Sequence, residues 1–194
     1  MIECEKKVML TYDEYAVIST MVRKGVVLKT QTNYYFDTDK FSMNKKGITC
    51  RIREKAGKFT ATIKSRNPEL PERSIEADVC EKSEFDPQLF KAFGLRYQGE
   101  MFTERMIMHK DNTCEVALDR NTYLGCVDYE LEIEYGKDGE QKAQAILEGI
   151  AHSLKPEKTT ENKTFFGRAG KGKSKSERFF ARKQDLRCQQ CDLF

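Results

Sequence analysis

In the opening segment Met-Ile-Glu-Cys-Glu-Lys-Lys, Glu3, Glu5 and Lys7 stand at alternate positions, so an extended chain projects three charges from one face. The other face is mostly apolar, through Ile2, Cys4, Val8 and Leu10. The alternation returns at Arg51 and Arg53, at Thr60, Thr62 and Lys64, and at Ser74, Glu76 and Asp78. It returns again at Glu115, Ala117 and Asp119, and at Glu130, Glu132 and Glu134. Like charges two residues apart on one sheet face repel unless cations intervene. A divalent ion would supply that compensation, and an oxygen-only ligand set suits magnesium, manganese or calcium better than zinc. The basic faces suit phosphate oxygens, to which guanidinium groups offer forked donors and lysines offer point charges. Metal plus polyanion is the chemistry these residues imply.

The elements that must position them follow from local signals. Thr11-Tyr-Asp-Glu14 forms a capping box before Tyr15, Val17, Ile18, Met21 and Val22 at helical spacing, with Gly25 as the stop. Strand-like residues run from Val26 to Phe36, and Asp37 to Lys40 reads as a turn. Gly47 opens a strand carrying Arg51 and Arg53, and Ala56-Gly57-Lys58 turns it into a second strand, Phe59 to Lys64. Asn67 to Pro71 breaks the chain before a strand from Arg73 to Val79. A short helix from Asp86 to Phe93 ends at Gly94; strands follow at Tyr97 to His109, Thr113 to Leu118 and Val127 to Tyr135, then a helix from Glu140 to Leu154. About eight strands joined by hairpins, with peripheral helices, predict an antiparallel sheet closing on itself. With the apolar positions outward, the interior would be a hydrated, ionic tunnel.

Length and composition fit one domain over residues 1–194, with 156–194 as a basic C-terminal segment or helix. No apolar run approaches a membrane span and no signal-peptide pattern opens the chain, so a cytoplasmic protein is expected. Cys4, Cys50, Cys80, Cys114 and Cys126 are scattered singly and read as reduced core thiols. Cys188 and Cys191 have knuckle spacing without a second pair, and His109 and His152 lie far away, which disfavours zinc. A net charge of +3 does not argue for nucleic acid. Tyr34, Tyr35 and Phe36 read as core aromatics rather than a base-stacking platform, and the basic stretch from Gly170 to Lys183 has a solvated tail as its plain alternative.

Glu3-x-Glu5-x-Lys7 resembles the signature of the CYTH domain, the triphosphate tunnel metalloenzymes. Tyr35-Phe-Asp-Thr38, Arg51-x-Arg53, Thr62-x-Lys64, Arg73 with Glu76, Arg105, Asp119 with Leu124-Gly125, and Glu130 to Glu134 follow in the family's order. Ser174-Lys175-x-Glu-Arg178-Phe resembles its C-terminal basic helix. The match spans nearly the whole chain and is nearest to the bacterial adenylate-cyclase-like or thiamine-triphosphatase-like branch. It implies a mainly β fold of α+β class, a closed eight-stranded antiparallel β-barrel tunnel, whose members hydrolyse or cyclise triphosphates with magnesium or manganese.

On this basis Glu3, Glu5 and two of Glu130, Glu132 and Glu134 would hold the divalent ion, Mg2+ or Mn2+. Lys7, Arg51, Arg53, Lys64, Arg105, Lys175 and Arg178 would clamp the phosphates. Glu76, Asp119 and Lys7 are the candidates for catalysis, the two carboxylates by holding a second metal or orienting water. Lys7 is expected to repel Arg51 or Arg53. The leading expectation is hydrolysis of inorganic triphosphate, with no nucleic-acid or membrane partner. The alternatives are an organic triphosphate such as thiamine triphosphate or a nucleotide, cyclisation of ATP, and a non-catalytic polyphosphate sensor. Oligomeric state, preferred metal and physiological substrate are not encoded in these patterns.

Overall fold

In this computed structural model, residues 2–22, 26, 28–66, 73–154, 165–168 and 172–191 are described. Gly25, Asn67 to Pro71 and Lys171 lie outside them, as do the side chains of Glu3 and Arg73. The order is β1 (Ile2–Leu10), α1 (Tyr12–Thr20), β2 (Lys29–Asp37), α2 (Ser42–Lys45), β3 (Ile48–Lys55), β4 (Lys58–Arg66) and β5 (Arg73–Lys82). It continues with α3 (Gln88–Lys91), β6 (Arg96–Lys110), β7 (Cys114–Tyr123), β8 (Cys126–Tyr135), α4 (Glu140–Ser153), α5 (Phe165–Arg168) and α6 (Lys175–Cys191).

All the strands pair antiparallel, in the order β1-β5-β4-β3-β2-β6-β7-β8 and back to β1. The ring is uneven. β1 pairs with β8 from Cys4↔Tyr135 to Leu10↔Tyr129, whereas among the described residues it meets β5 only at Ile2, Glu3 and Cys4. The molecule is thus an eight-stranded antiparallel sheet curled round on itself, with its ring closed through the β1–β5 pairing.

Side-chain parity sets the two surfaces of this sheet. Outward, Val8, Leu10, Val116, Leu118, Leu131 and Ile133 pack against Ile18 of α1 and Ala143, Leu147 and Ile150 of α4. A second outer cluster joins Phe36, Cys50, Ile52 and Ala61 to Phe90 of α3 and to Leu95. Each such aliphatic or aromatic side chain contributes about 1.5–3 kcal/mol on burial. That is what lets the inner face carry charge.

Local chemistry explains the element ends. The Thr11 capping box forms as the sequence predicts, with Thr11 N donating to Glu14 Oε2 at 2.8 Å and Glu14 N to Thr11 Oγ1 at 3.2 Å. α1 ends at Thr20, before Gly25. The predicted helix over Asp86 to Phe93 shrinks to the single turn α3. β7 runs on to Tyr123, five residues past its expected end, because Arg120, Asn121 and Thr122 continue the ladder with β8. The turn expected at Asp37 to Lys40 is followed by α2, whose Met43 and Asn44 amides donate to Asp37 at 3.0 and 2.9 Å.

One part of the interior is apolar. Phe179 of α6 is fully buried against Tyr35, Met101 and Tyr123, so the helix stoppers the bore there instead of leaving a hydrated passage. Gly99 makes this approach possible: its φ is +131°, and a Cβ at that position would sit 2.9 Å from the Phe179 ring. Gly99→Ala should therefore lower stability by about 1–3 kcal/mol through overpacking and backbone strain. Thermal melts of Gly99→Ala and Gly99→Ala/Phe179→Leu check this, with partial recovery expected in the double variant.

Candidate active site inside the curled sheet

The inner face gathers charged residues from β1 and from β3 to β8, and register decides which meet. On β1 and β8, Glu5 lies opposite Glu134, Lys7 opposite Glu132 and Met9 opposite Glu130. On β7, Asp119 lies opposite Glu130. Across the bore, Arg51 and Arg53 on β3 pair with Thr62 and Thr60 on β4, and Lys64 lies opposite Glu76 on β5. An acidic wall thus faces a basic one.

The deepest layer of the acidic wall is an ion network. Lys175 Nζ stands 2.9 Å from Asp119 Oδ2 and 2.9 Å from Glu132 Oε1, and also pairs with Glu130. Lys7 Nζ is 3.0 Å from Glu132 and 3.3 Å from Glu5. Arg105 grips Asp119 with Nε at 2.8 Å and Nη2 at 2.7 Å and also meets Glu132. Arg178 Nε lies 2.7 Å from Asp128 and its Nη1 3.0 Å from Glu130. Four cations therefore interleave with Asp119, Asp128, Glu130 and Glu132. Lys7 does not repel Arg51 or Arg53, contrary to expectation, because β1 sits beside β8 and offers its ammonium to carboxylates.

This balance shapes the ionisation. Burial opposes charge on Glu130 and Glu132, yet Lys175 and Lys7 outweigh it; Glu130 is held down to about 2 and Glu132 well below the carboxylate range. The same carboxylates raise Lys7 and Lys175 against their burial.

Lys175 reaches the network because of the residues around it. Ser174 N donates to Glu177 Oε2 at 2.6 Å and Glu177 N to Ser174 Oγ at 3.3 Å, a capping box that makes Lys175 the first helical residue. A cation there opposes the helix dipole, so the carboxylates must outweigh it. Arg66 Nη1 fixes the same turn by donating to Glu177 at 2.9 and 3.0 Å.

The basic wall is organised differently. Arg51 is buried, with Nη2 2.7 Å from Glu76 Oε1 and Nε 3.0 Å from Thr62 Oγ1. Lys64 Nζ lies 3.7 Å from the other Glu76 oxygen. Arg53 donates Nε to the amide oxygen of Asn33 at 3.1 Å, and among the described residues no carboxylate forms an ion pair with it.

Between the walls lies a cavity of about 120 Å³, several times the roughly 10–15 Å³ that one ordered water requires. Of the residues singled out by sequence, Glu5, Lys7, Arg51, Arg53, Lys64, Glu76, Arg105, Glu132, Glu134 and Lys175 line it. Asp119, Glu130 and Arg178 lie behind that lining, in the ion network. For Glu3 the structure gives only the backbone, opposite Ser74.

Two carboxylate groups fit a hard cation by their oxygen-only donors. Asp119, Glu130 and Glu132 bring one oxygen each within 4.8 Å of one another and could hold a metal ion, but the Lys175 ammonium sits among them. Glu5 and Glu134 face each other in register nearer the rim, where the Glu134 side chain is 47% exposed and its cation, Arg105, lies 3.9 Å away. Sequence reasoning missed Asp128, Asn33, Arg66 and Glu177. Parity was the available signal for the strand residues: Asn33 alternates with Tyr35, and Arg66 with Lys64.

The curled antiparallel sheet thus carries opposed acidic and basic inner walls, with an acidic cluster that could hold a metal ion. The chain belongs to the CYTH domain family, whose model matches residues 1–165. It is 30% identical over 181 residues to YjbK of Bacillus subtilis (strain 168), a candidate triphosphatase by name, covering 84% of this chain and 92% of that one. A solved structure of a candidate adenylate cyclase from Bacillus halodurans superposes with a TM-score of 0.58 at 25% identity, over 81% of this chain and 94% of the other. HpAC1 from Hippeastrum, a candidate adenylyl cyclase described as having a dominant triphosphatase activity, matches with a TM-score of 0.58 at 18% identity, over 86% and 94%.

The depressed carboxylates carry a pH signature. A group whose folded pKa lies below its ordinary value stabilises the fold above that value and loses the contribution as pH falls toward the folded one. Glu130 and Glu132 should therefore add full stability above about pH 4.5 and lose it toward pH 2. Urea midpoints across that window should fall steadily. Lys175→Met, which leaves buried carboxylates undercompensated, should cost about 3–5 kcal/mol at neutral pH, read from the same denaturation curves.

Proposed function

We propose that this protein hydrolyses a triphosphate with the help of a divalent metal, and that inorganic triphosphate is its substrate. The observation that carries this reading is the cavity between a wall rich in carboxylates and a wall whose Arg53 has, among the described residues, an amide partner but no acid within ion-pair distance. A metal-bound polyphosphate has both complements, a cation for one wall and oxyanions for the other. Among the described residues no aromatic ring lines the cavity, so none of them offers a stacking surface for a base or a thiazolium ring. That favours the inorganic chain over nucleotides and thiamine triphosphate.

Glu5, Glu132 and Glu134, with Glu3, are the residues that would hold magnesium or manganese. When bound, the ion would neutralise phosphate oxygens and polarise the bond to be broken. The rest belongs to the protein. Arg51, Arg53 and Lys64 bind the chain, and Glu76 orients Arg51 and Lys64 through its two oxygens. Arg105 and Lys175 present their charge from the opposite side, held by Asp119. Phosphoryl transfer asks a protein mainly for positioning and charge neutralisation, and this set supplies both. Lys7, between Glu5 and Glu132, spaces the carboxylates. Asp119 and Arg178 act on this reading as positioning residues, and attack by water would fall to the rim carboxylates.

No described helix is long and apolar enough to cross a membrane. Cys4, Cys50, Cys80, Cys114, Cys126 and Cys188 are free thiols, which supports a reducing compartment, and we place the protein in the cytoplasm.

Incubation with inorganic triphosphate, ATP or thiamine triphosphate and magnesium or manganese should release phosphate, fastest from the inorganic chain. Chelation should stop it. Glu5→Gln should lower turnover at least about a hundredfold, the scale of one transition-state electrostatic contact, with an unchanged melting profile. Cyclic AMP as the main product from ATP would replace hydrolysis by cyclisation, and binding without any product would mark a sensor.

A further inference from the structure

Asn33 is fully buried on the inner face of β2, between Arg53 of β3 and Met101 of β6 in register. Its amide oxygen accepts from Arg53 Nε at 3.1 Å, which turns Nδ2 the other way. Among the described residues Nδ2 has no hydrogen-bond partner, and neither does the hydroxyl of Tyr35, one pleat further along the same face and equally buried. A buried donor left unpaired is costly, and folded proteins rarely keep one without a reason. Here two unpaired polar groups stand beside a guanidinium that has no acid partner. The amide Nδ2 and the guanidinium can only donate, and the hydroxyl can donate as well, so an acceptor would satisfy all three.

The contrast with the other inner cations sharpens the point. Lys7, Arg51, Lys64, Arg105, Lys175 and Arg178 each meet at least one carboxylate within 4.0 Å. Arg53 meets an amide. Asparagine and aspartate have nearly the same shape, and either could accept from Nε, but aspartate would also neutralise the guanidinium. Burial, with like charge from Arg51 next, pushes Arg53 down to about 10, and the more distant Glu76 carboxylate offsets this only in part.

We infer that Asn33 is a positioning residue for anion binding, holding the Arg53 guanidinium in place through a neutral acceptor so that its charge is kept for a phosphate oxygen of the substrate. This rests on the reading of the basic wall as the triphosphate site. The side chain does for Arg53 what Glu76 does for Arg51, without the negative charge. Such a neutral tether lets one cation of the wall draw the anion while its neighbours stay internally balanced.

Calorimetric titration of inorganic tripolyphosphate, paired with thermal melting, tests this on the parent, Asn33→Asp, Asn33→Ala and Arg53→Gln. Asn33→Asp should weaken affinity at least about tenfold, the worth of one charge-assisted contact, while its melting temperature stays level or rises because Arg53 gains an ion pair. Asn33→Ala should weaken binding less, since the guanidinium is unheld but still uncompensated. A purely structural role for Asn33 predicts the opposite split, with stability lost in both variants, and that result overturns the inference. Equal losses of affinity in the two variants also overturn it, because charge would then be irrelevant. If Arg53→Gln abolishes binding and Asn33→Asp binds like the parent, the role of Asn33 alone falls. If both bind like the parent, the basic wall is not the anion site.

Discussion

The structure depends on charge balance inside a closed space. Asp119, Glu130 and Glu132 are within reach of one another and buried, a grouping that could not ionise unless cations stood among them. Lys7, Lys175, Arg105 and Arg178 provide those cations from three different elements. The outcome is mechanical as well as electrostatic, because Lys175 belongs to α6. The helix is drawn into the bore by its first residue and seated there by Phe179. Removing one partner of such a network costs far more than the network contributes overall, so its value lies in fixing geometry rather than in net stability.

Balance in the deep layer leaves the next layer to do chemistry. With Glu130 held by Lys175 and Arg178, the carboxylates facing the cavity are Glu5, Glu132 and Glu134. On the opposite wall Glu76 is shared by Arg51 and Lys64, so the cations there outnumber the acid that holds them. Under the proposed function, the two walls take opposite ends of one ligand, a cation bound to a polyanion. Shared ancestry with the CYTH family agrees with that reading, but the walls themselves supply its physical basis.

Much of this was legible because a strand has a period of two. The alternation at Glu3-Glu5-Lys7, Arg51-Arg53 and Glu130-Glu132-Glu134 announced an ionic face, and the apolar alternates packed outward on α1, α3 and α4. Ring order was not legible, since which strands meet depends on closure between distant segments. That is why Lys7 was set against Arg51 and Arg53 when its neighbour is Glu132. Phe179 was hidden for a related reason: an aromatic pair within a basic, glycine- and serine-flanked stretch gives no local sign of where it will be buried. Asn33 gives no signal of its own because a neutral side chain after Gln31 and Thr32 looks like ordinary strand polarity, and its meaning comes only from the guanidinium beside it.

The apolar stopper and the ionic layer also act on each other. Phe179, Tyr35, Met101 and Tyr123 exclude water beneath the carboxylates, which raises the cost of any unpaired charge and strengthens every paired one. A site built this way cannot readily reorganise when a ligand arrives, because each deep ion is committed to a partner on another element. Commitment is least complete at the rim carboxylates on one side and at Arg53 on the other. Those groups are preorganised by neighbours that do not themselves change partners, which is the condition under which electrostatic stabilisation of a transition state is largest.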